Sequence, residues 1–243
     1  MMNMSFDLSG KWALVTGGRG LALGMAKGLA DAGASVVLMS RSTPETDEYP
    51  FVQADLANRE SLKKGFDQVL EITGGKLDIL VNCAGIQRRH ELEEFPIEDW
   101  DEVIEVNLTS CFELCQLAGR IMLKQGKGKI INIASMISYF GGIRIPAYAA
   151  SKGGIAQLTK SLAVGWAGKG IQVNALAPGY MATDMNTALL EDPVRSSSIL
   201  SRIPAGRWGV PEDMAGPCVF LASDASDYVN GAVIPVDGAY LVM

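Results

Sequence analysis

Histidine is nearly absent from the sequence, since its 243 residues include only one, His90. A metal site built from several histidines is therefore excluded, and a Ser-His-Asp triad would require His90 itself as the general base. The four cysteines form no C-x-x-C pair; they are Cys83, Cys111, Cys115 and Cys218. We interpret them as small buried hydrophobic side chains rather than as metal ligands or redox partners.

Positive charge and long apolar runs are also scarce. The formal net charge is -6 and the pI is about 4.9, and no basic stripe is present, which argues against a nucleic-acid ligand. No apolar run reaches the roughly 18 residues that a membrane span needs, and residues 1–12 carry no secretory signal. We therefore expect a cytoplasmic protein that acts on a small molecule, with neither nucleic acid nor membrane as a partner.

Short apolar, β-branched runs alternate with helical patterns along the chain. The strands are predicted at residues 12–16, 35–40, 51–54, 77–82, 129–134, 171–176 and 233–236, and the helices at 21–32, 59–72, 97–124, 147–168 and 211–222. Strand runs such as Ile79-Leu80-Val81 are apolar on both faces, as in a parallel sheet covered by helices. The alternation predicts an α/β fold of the Rossmann type, a doubly wound, seven-stranded parallel sheet with helices on both faces.

The whole chain, residues 1–243, is predicted to form one such domain. Residues 179–210 form a long segment of mixed polarity. Beside a binding crevice, such a segment is typical of a lid, here at about 180–210, and the alternative is a disordered loop.

A glycine-rich turn follows the first predicted strand and reads T-G-G-R-G-L-A-L-G from Thr16 to Gly24. Such a turn lets backbone N–H groups approach a pyrophosphate at a helix N-terminus. The strict G-x-G-x-x-G pattern is absent, so the placement after the first strand carries most of the signal. It predicts a dinucleotide cofactor held by Gly17, Arg19, Gly20 and Leu21.

The end of the second strand bears on the choice between NAD(H) and NADP(H). An acidic residue there would bind the ribose 2′-hydroxyl, and an arginine would accommodate a 2′-phosphate. The residues are Ser40-Arg41-Ser42, and Arg19 can reach the same region from the glycine turn. NADP(H) is therefore favoured over NAD(H), unless Arg41 only stacks on the adenine or lies in solvent.

Three residues indicate alcohol–ketone chemistry. Tyr148 and Lys152 are four apart in a helical pattern and share a face, and Ser135 follows an apolar strand 13 residues before Tyr148. Hydride transfer needs a matching proton on the alcohol oxygen, which a tyrosine can supply when a nearby ammonium favours its phenolate. The serine hydroxyl can orient the substrate oxygen. Taken singly, the serine could be a strand-end cap and the tyrosine a half-buried aromatic.

With these residues assembled, the chain resembles the short-chain dehydrogenase/reductase family over its whole length. Matching positions are the N-N-A-G-like run that includes Asn82, Ala84 and Gly85, the helix asparagine Asn107, the adenine-side Asp55 and Leu56, and the nicotinamide segment with Pro178, Gly179, Met181 and Thr183. The resemblance implies that Asn107 joins Ser135, Tyr148 and Lys152 in a catalytic tetrad and supports a water relay. Tyr148 and Lys152 would also bind the cofactor, with Lys152 on the ribose, and no metal is implied.

Two positions depart from the family pattern. The glycine turn is one residue shorter than T-G-x-x-x-G-x-G, with Ala22 where the last glycine belongs. That change puts the phosphate geometry in doubt. Cys83 replaces the second asparagine of N-N-A-G, which we interpret as a packing change.

A narrower resemblance points to the sugar-acid branch of the family, which acts on gluconate and 2-dehydro-3-deoxygluconate. It rests on residues 84–90, 131–136, 203–209 and 224–231. We expect Arg88 or Arg89, just beyond the fourth strand, to bind the substrate carboxylate as a fork, beside Ser135 and Tyr148. Alternatively, both arginines form a solvated loop with His90.

Other functions remain open on the sequence. Reduction of a 3-oxoacyl thioester needs the same tetrad and a basic patch for an acidic carrier, and oxidation of a neutral polyol needs no carboxylate anchor. A non-catalytic NADP(H) sensor would be compatible with the altered turn. The family resemblance also implies a homotetramer, paired through the helices at 97–124 and 147–168. These helices carry more apolar residues than packing on one sheet face requires; alternatively, the extra residues belong to the ordinary core.

Overall fold

The computed structural model describes residues 5–243, and within them all seven strands of the sheet run parallel. The strands are β1 Trp12–Thr16, β2 Ser35–Ser40, β3 Phe51–Gln53, β4 Ile79–Asn82, β5 Gly128–Ile133, β6 Ile171–Pro178 and β7 Val233–Val236. Their order across the sheet is β3-β2-β1-β4-β5-β6-β7. The predicted seven-stranded, doubly wound fold is therefore confirmed.

Helices cover both faces of this sheet. They are α1 Leu21–Asp31, α2 Arg59–Ile72, α3 Ile97–Ile104, α4 Ser110–Gln125, α5 Pro146–Trp166, α6 Thr187–Leu190, α7 Pro193–Leu200 and α8 Ala215–Ala222. One apolar core lies between the sheet and α2, α4 and α5, and the other lies between the sheet and α1 and α8. None of the helices within residues 5–243 combines the length and the apolar character that crossing a membrane requires.

Alternate residues of each central strand enter the two cores. Leu80 contributes to the core under α4 and α5, whereas Ile79 and Val81 contribute to the core under α1 and α8. All three are at most 1% exposed. The apolar strand runs of the sequence are thus explained by burial on both faces.

The strand order reverses between β1 and β4, the two central neighbours. From β1 the chain proceeds outward through β2 and β3 on one side, and then returns to place β4 on the other side. In sheets of this kind, the crevice beyond the carboxyl ends of the strands at this switch point is the usual ligand site.

The long helix predicted over residues 97–124 is interrupted. A π-helical turn, Glu105–Thr109, joins α3 to α4. The helix predicted at 211–222 begins as a 3-10 turn, Pro211–Met214, before α8. Other boundaries match or shift by at most two residues, as in β4, which begins at Ile79 rather than at 77.

Two glycines of α1 allow a close crossing with α8 and the turn before it. A Cβ at Gly28 would lie 2.7 Å from the Cβ of Ala215, and a Cβ at Gly24 would overlap the carbonyl oxygen of Pro211. This contact fixes the position of α1, whose N-terminus follows the glycine-rich turn.

We predict that Gly24→Ala lowers the free energy of unfolding by about 1–3 kcal/mol, because the added methyl overpacks against backbone that cannot rotate away. Gly165→Ala is the matched control: nothing lies within 4 Å of a Cβ there, inside α5. The control should leave stability unchanged or raise it by up to about 1 kcal/mol. Urea denaturation followed by circular dichroism measures both, and equal stabilities of the two variants would contradict the close crossing.

Candidate active site

A cavity of about 450 Å³ lies at the carboxyl ends of the central strands, at the switch point between β1 and β4. Of the residues predicted to bind a cofactor, nearly all line it: Gly17, Arg19, Gly20, Leu21, Arg41, Asp55, Leu56, Ala84, Gly85, Tyr148, Lys152, Pro178, Gly179, Met181 and Thr183. Asn82 does not line the cavity. Its amide nitrogen is turned into the core and donates to the Oδ1 of Asn132 at 2.9 Å.

The glycine-rich turn forms one wall of the cavity. Gly17 and Gly20 have φ angles of 107° and 47°, which favour glycine. A Cβ at Gly17 would lie 2.9 Å from the Cβ of Ala22. The methyl group of Ala22, where the family has a glycine, therefore packs against Gly17. Gly20 caps α1 without a side-chain hydrogen bond, so the turn keeps the bare backbone that suits a pyrophosphate.

The adenosine end of the cavity is lined by Ser40, Arg41 and Ser42. Arg41 is exposed, and no carboxylate among residues 5–243 lies within ion-pair distance of it. Arg19 faces the same region, but its Nε lies 3.5 Å from the Oε1 of Glu45. Two cations, Arg19 and Arg41, thus line the cavity together.

Ser135 follows β5, and its hydroxyl oxygen accepts a hydrogen bond from the backbone N–H of Ile137 at 3.2 Å. Ser135 therefore caps the turn that follows β5, and it also lines the cavity. Because its oxygen accepts from the backbone, its hydroxyl proton is available to donate to a substrate oxygen.

Lys152 is buried, with 5% of its surface exposed, one turn after Tyr148 on α5. Its Nζ donates to the carbonyl oxygen of Ile133 at 2.6 Å. The same Nζ lies 5.7 Å from the centroid of the Tyr148 ring. Tyr148, Lys152 and Ser135 therefore border one cavity, with a fixed positive charge behind the phenol.

Asn107 lies in the π-helical turn and is 2% exposed. Its side chain accepts from the N–H of Ile86 at 2.8 Å and donates to the Ile86 carbonyl at 2.9 Å. It also donates to Ser151 on α5 at 3.1 Å. Asn107 does not line the cavity directly. It joins the loop after β4 to α5, and π turns recur at functional sites.

The two predicted carboxylate-binding arginines lie in opposite electrostatic surroundings. Arg88 donates to Glu102 at 2.6 Å and lies 3.7 Å from Asp99, so its charge is neutralised on α3. Arg89 has no carboxylate partner within the described residues. Partial burial and then the like charges of Arg195 and Arg144 lower its pKa. Neither arginine lines the cavity, although the loop that carries them continues from Gly85.

Three hydroxyl residues that the sequence did not single out hold the site together. Thr16 Oγ1 accepts from the backbone N–H groups of Cys83 and Ala84, each at 3.0 Å. Ser138 donates to the carbonyl of Lys152 at 2.7 Å, and Ser151 donates to that of Tyr148 at 2.8 Å. Of the three, only Thr16 lies in a motif of the sequence, since it precedes the first glycine of the glycine-rich turn.

One of the four cysteines borders the cavity. Burial raises the pKa of Cys83, which lines the cavity, to about 12, with an opposing effect from Lys152. Across residues 5–243, no three acidic, histidine or cysteine side chains gather into a group that could hold a metal ion.

Comparison with known proteins agrees with this geometry. A family model described as enoyl-(acyl carrier protein) reductase matches residues 15–240. The chain is 49% identical to 2-dehydro-3-deoxy-D-gluconate 5-dehydrogenase of Bacillus subtilis, with 98% of this chain and 97% of that protein covered. It is 43% identical to gluconate 5-dehydrogenase of Gluconobacter oxydans, with 98% and 97% covered.

Solved structures are similar as well. The structure of a gluconate 5-dehydrogenase from Burkholderia cenocepacia, in complex with NADP and tartrate, has a TM-score of 0.91 and 41% identity, with 98% of each chain covered. The similarity extends over the whole architecture, including the strands that carry the cavity.

Thr16→Val tests the hydroxyl link between β1 and the loop after β4. Valine keeps the volume but leaves the N–H groups of Cys83 and Ala84 without an acceptor, so we expect the free energy of unfolding to fall by about 1–3 kcal/mol. Amide hydrogen exchange at residues 83 and 84 should accelerate. Thr16→Ser keeps the hydroxyl and should restore slow exchange; unaltered exchange in Thr16→Val would show that the link is unimportant.

Proposed function

The chain belongs to the short-chain dehydrogenase/reductase family, and we propose that its substrate is a sugar acid of the gluconate or 2-dehydro-3-deoxygluconate type, because the relatives that are 49% and 43% identical to it are dehydrogenases of such acids. It is an NAD(P)-dependent oxidoreductase that interconverts a secondary alcohol and a ketone. The observation that carries the proposal is a single cavity lined by the glycine turn, Ser135, Tyr148 and Lys152. NADP(H) is the proposed cofactor, because Arg19 and Arg41 line the adenosine end of the cavity and the tip of β2, Ser40-Arg41-Ser42, carries no carboxylate.

The glycine turn, with the bare backbone of Gly17 and Gly20, fits a dinucleotide pyrophosphate, and Arg19 and Arg41 fit a 2′-phosphate. When bound, the cofactor would accept a hydride from the carbinol carbon in the oxidation and return it to the carbonyl carbon in the reduction. Every other part of the reaction belongs to the chain's own residues, which orient the substrate oxygen and move its proton.

In the oxidation direction, Ser135 donates its hydroxyl proton in a hydrogen bond to the substrate oxygen, and Tyr148 takes the proton from that oxygen. The buried Lys152 ammonium, 5.7 Å from the phenol ring, stabilises the negative charge that Tyr148 carries before it takes the proton. Asn107 positions Ile86 and Ser151, and through Ser151 the backbone of Tyr148. In the reduction direction the same groups act in reverse.

Arg89 is the proposed carboxylate anchor, since its charge has no protein partner within residues 5–243 and lies beside Arg195 and Arg144. Arg144 is itself paired with Glu91 at 3.0 Å. A substrate carboxylate would relieve the repulsion among these cations. Arg88, in contrast, is proposed to dock the loop onto α3.

The segment at about 180–210 is proposed to act as the lid. Its two ends are joined by a β-bridge between Met181 and Gly209, and α7, which lies between them, buries none of its residues. Closure would exclude water from the hydride transfer. Residues Asp184, Met185 and Asn186 already line the cavity.

The homotetramer and the cytoplasmic location stay predictions. Exposed apolar side chains on α4 and α5, namely Phe112, Leu123 and Val164, support pairing of these helices. The alternative function, reduction of a carrier-bound 3-oxoacyl thioester, is disfavoured by the charge of the protein, because a net charge of -6 would repel an acidic carrier protein.

A cofactor-absorbance assay tests the proposed function. The substrates are gluconate, 2-dehydro-3-deoxygluconate, 5-ketogluconate, neutral polyols and an acetoacetyl thioester, each with both cofactors. We expect turnover on sugar acids only, with NADP(H) preferred. Tyr148→Phe should reduce turnover by about 10²-fold or more, because the proton acceptor is lost. Turnover confined to polyols or the thioester would overturn the substrate class.

The two adjacent arginines give a matched pair for the substrate anchor. Arg89→Gln should raise KM for gluconate about tenfold or more, since hydrogen bonds to charged groups contribute about 1.5–3 kcal/mol, with kcat little changed. Arg88→Gln should leave KM within about twofold and act on stability through Glu102 and Asp99. The reverse pattern in steady-state kinetics would make Arg88 the anchor.

A further inference from the structure

The polar loop at residues 43–50 folds back onto the glycine-rich turn. The backbone N–H of Glu45 donates to the carbonyl oxygen of Gly18 at 3.0 Å. A Cβ at Gly18 would lie 2.9 Å from the Cα of Pro44, so only glycine allows the loop to approach this closely. The backbone of Glu45 is thereby held beside the turn.

This fold-back places a carboxylate on one of the two cations at the adenosine end of the cavity. Arg19 Nε lies 3.5 Å from Glu45 Oε1, and their side chains are 59% and 52% exposed. Arg41, which also lines that end, is paired with no carboxylate in the described part of the chain. The two arginines therefore differ in availability: Arg41 is open to an anion, and Arg19 is already engaged.

We propose that Glu45 moderates the preference for NADP(H) by competing with the ribose 2′-phosphate for Arg19. The inference rests on the proposed use of NADP(H). Binding of NADP(H) must break the ion pair between Arg19 and Glu45 and bring the 2′-phosphate near a carboxylate. NAD(H), which lacks that phosphate, leaves the ion pair undisturbed. Glu45 thus lowers the preference for NADP(H) that two free arginines would give, and NAD(H) remains usable.

The expected size of the effect follows from exposure. An ion pair in solvent is worth little, so releasing Arg19 should strengthen binding of a 2′-phosphorylated nucleotide by about twofold to fivefold. The gain should shrink as salt is added, because exposed charges are screened.

The test compares Glu45→Gln with Glu48→Gln by titration with NADPH, NADH, 2′-AMP and 5′-AMP, followed by fluorescence or calorimetry. Glu48 is in the same loop and carries the same charge, but its carboxylate lies by Tyr49 and Lys27 on the α1 side. Glu45→Gln should tighten NADPH and 2′-AMP by about twofold to fivefold and leave NADH and 5′-AMP unchanged. Glu48→Gln should produce no such selective gain.

A double variant tests whether the effect of Glu45 acts through Arg19. In an Arg19→Gln background, Glu45→Gln should no longer tighten NADPH, as a double-mutant cycle would show. Weaker NADH binding in Glu45→Gln would mean that Glu45 binds ribose hydroxyls, and an equal gain for both cofactors would mean a general charge effect; either result overturns the proposal. Because binding is read without a sugar acid, a wrong substrate class would not affect the outcome.

Discussion

The site depends on one buried positive charge, the ammonium of Lys152. It is 5% exposed, and its only hydrogen-bond acceptor among residues 5–243 is the carbonyl of Ile133 at the end of β5. Burial of an ammonium with so little compensation is costly. The surrounding structure holds it there: Ser138 bonds the Lys152 carbonyl, and Asn107 reaches α5 through Ser151. The charge is useful where it lies, behind the Tyr148 phenol, so the proton-handling centre exists before any ligand arrives.

The parallel sheet determines where that centre meets a cofactor. The ends of β1, β4, β5 and β6 converge at one edge, and β1 and β4 mark the reversal of strand order. Thr16 fastens the loop after β4 to the end of β1, while Gly24 and Gly28 fix α1 against α8. The N-terminus of α1 and the catalytic face of α5 thus border the same cavity. Hydride and proton can then be handled on one substrate carbon and its oxygen.

Much of this was predictable from the sequence, because strand and helix periodicities differ and the sheet is apolar on both faces. Ser135, Tyr148 and Lys152 could be chosen because strand ends and helix spacing place them together. The π turn at Asn107 could not be predicted, since the apolar pattern continues from α3 into α4 without a break. Arg88 and Arg89 are neighbours in sequence and differ only because carboxylates of α3 face one of them. The pairing of Arg19 with Glu45 depends on the path of a loop that has no periodicity.

Lys152 serves the chemistry of the site rather than the stability of the fold, and Lys152→Met tests this most directly. Methionine has a similar length and fills the site without a charge. The free energy of unfolding, measured by urea denaturation, should stay within about 1 kcal/mol of the wild-type value or rise, because a poorly compensated buried charge is removed. Turnover should be lost. A fall in stability of about 3 kcal/mol or more, or turnover near the wild-type rate, would contradict the account.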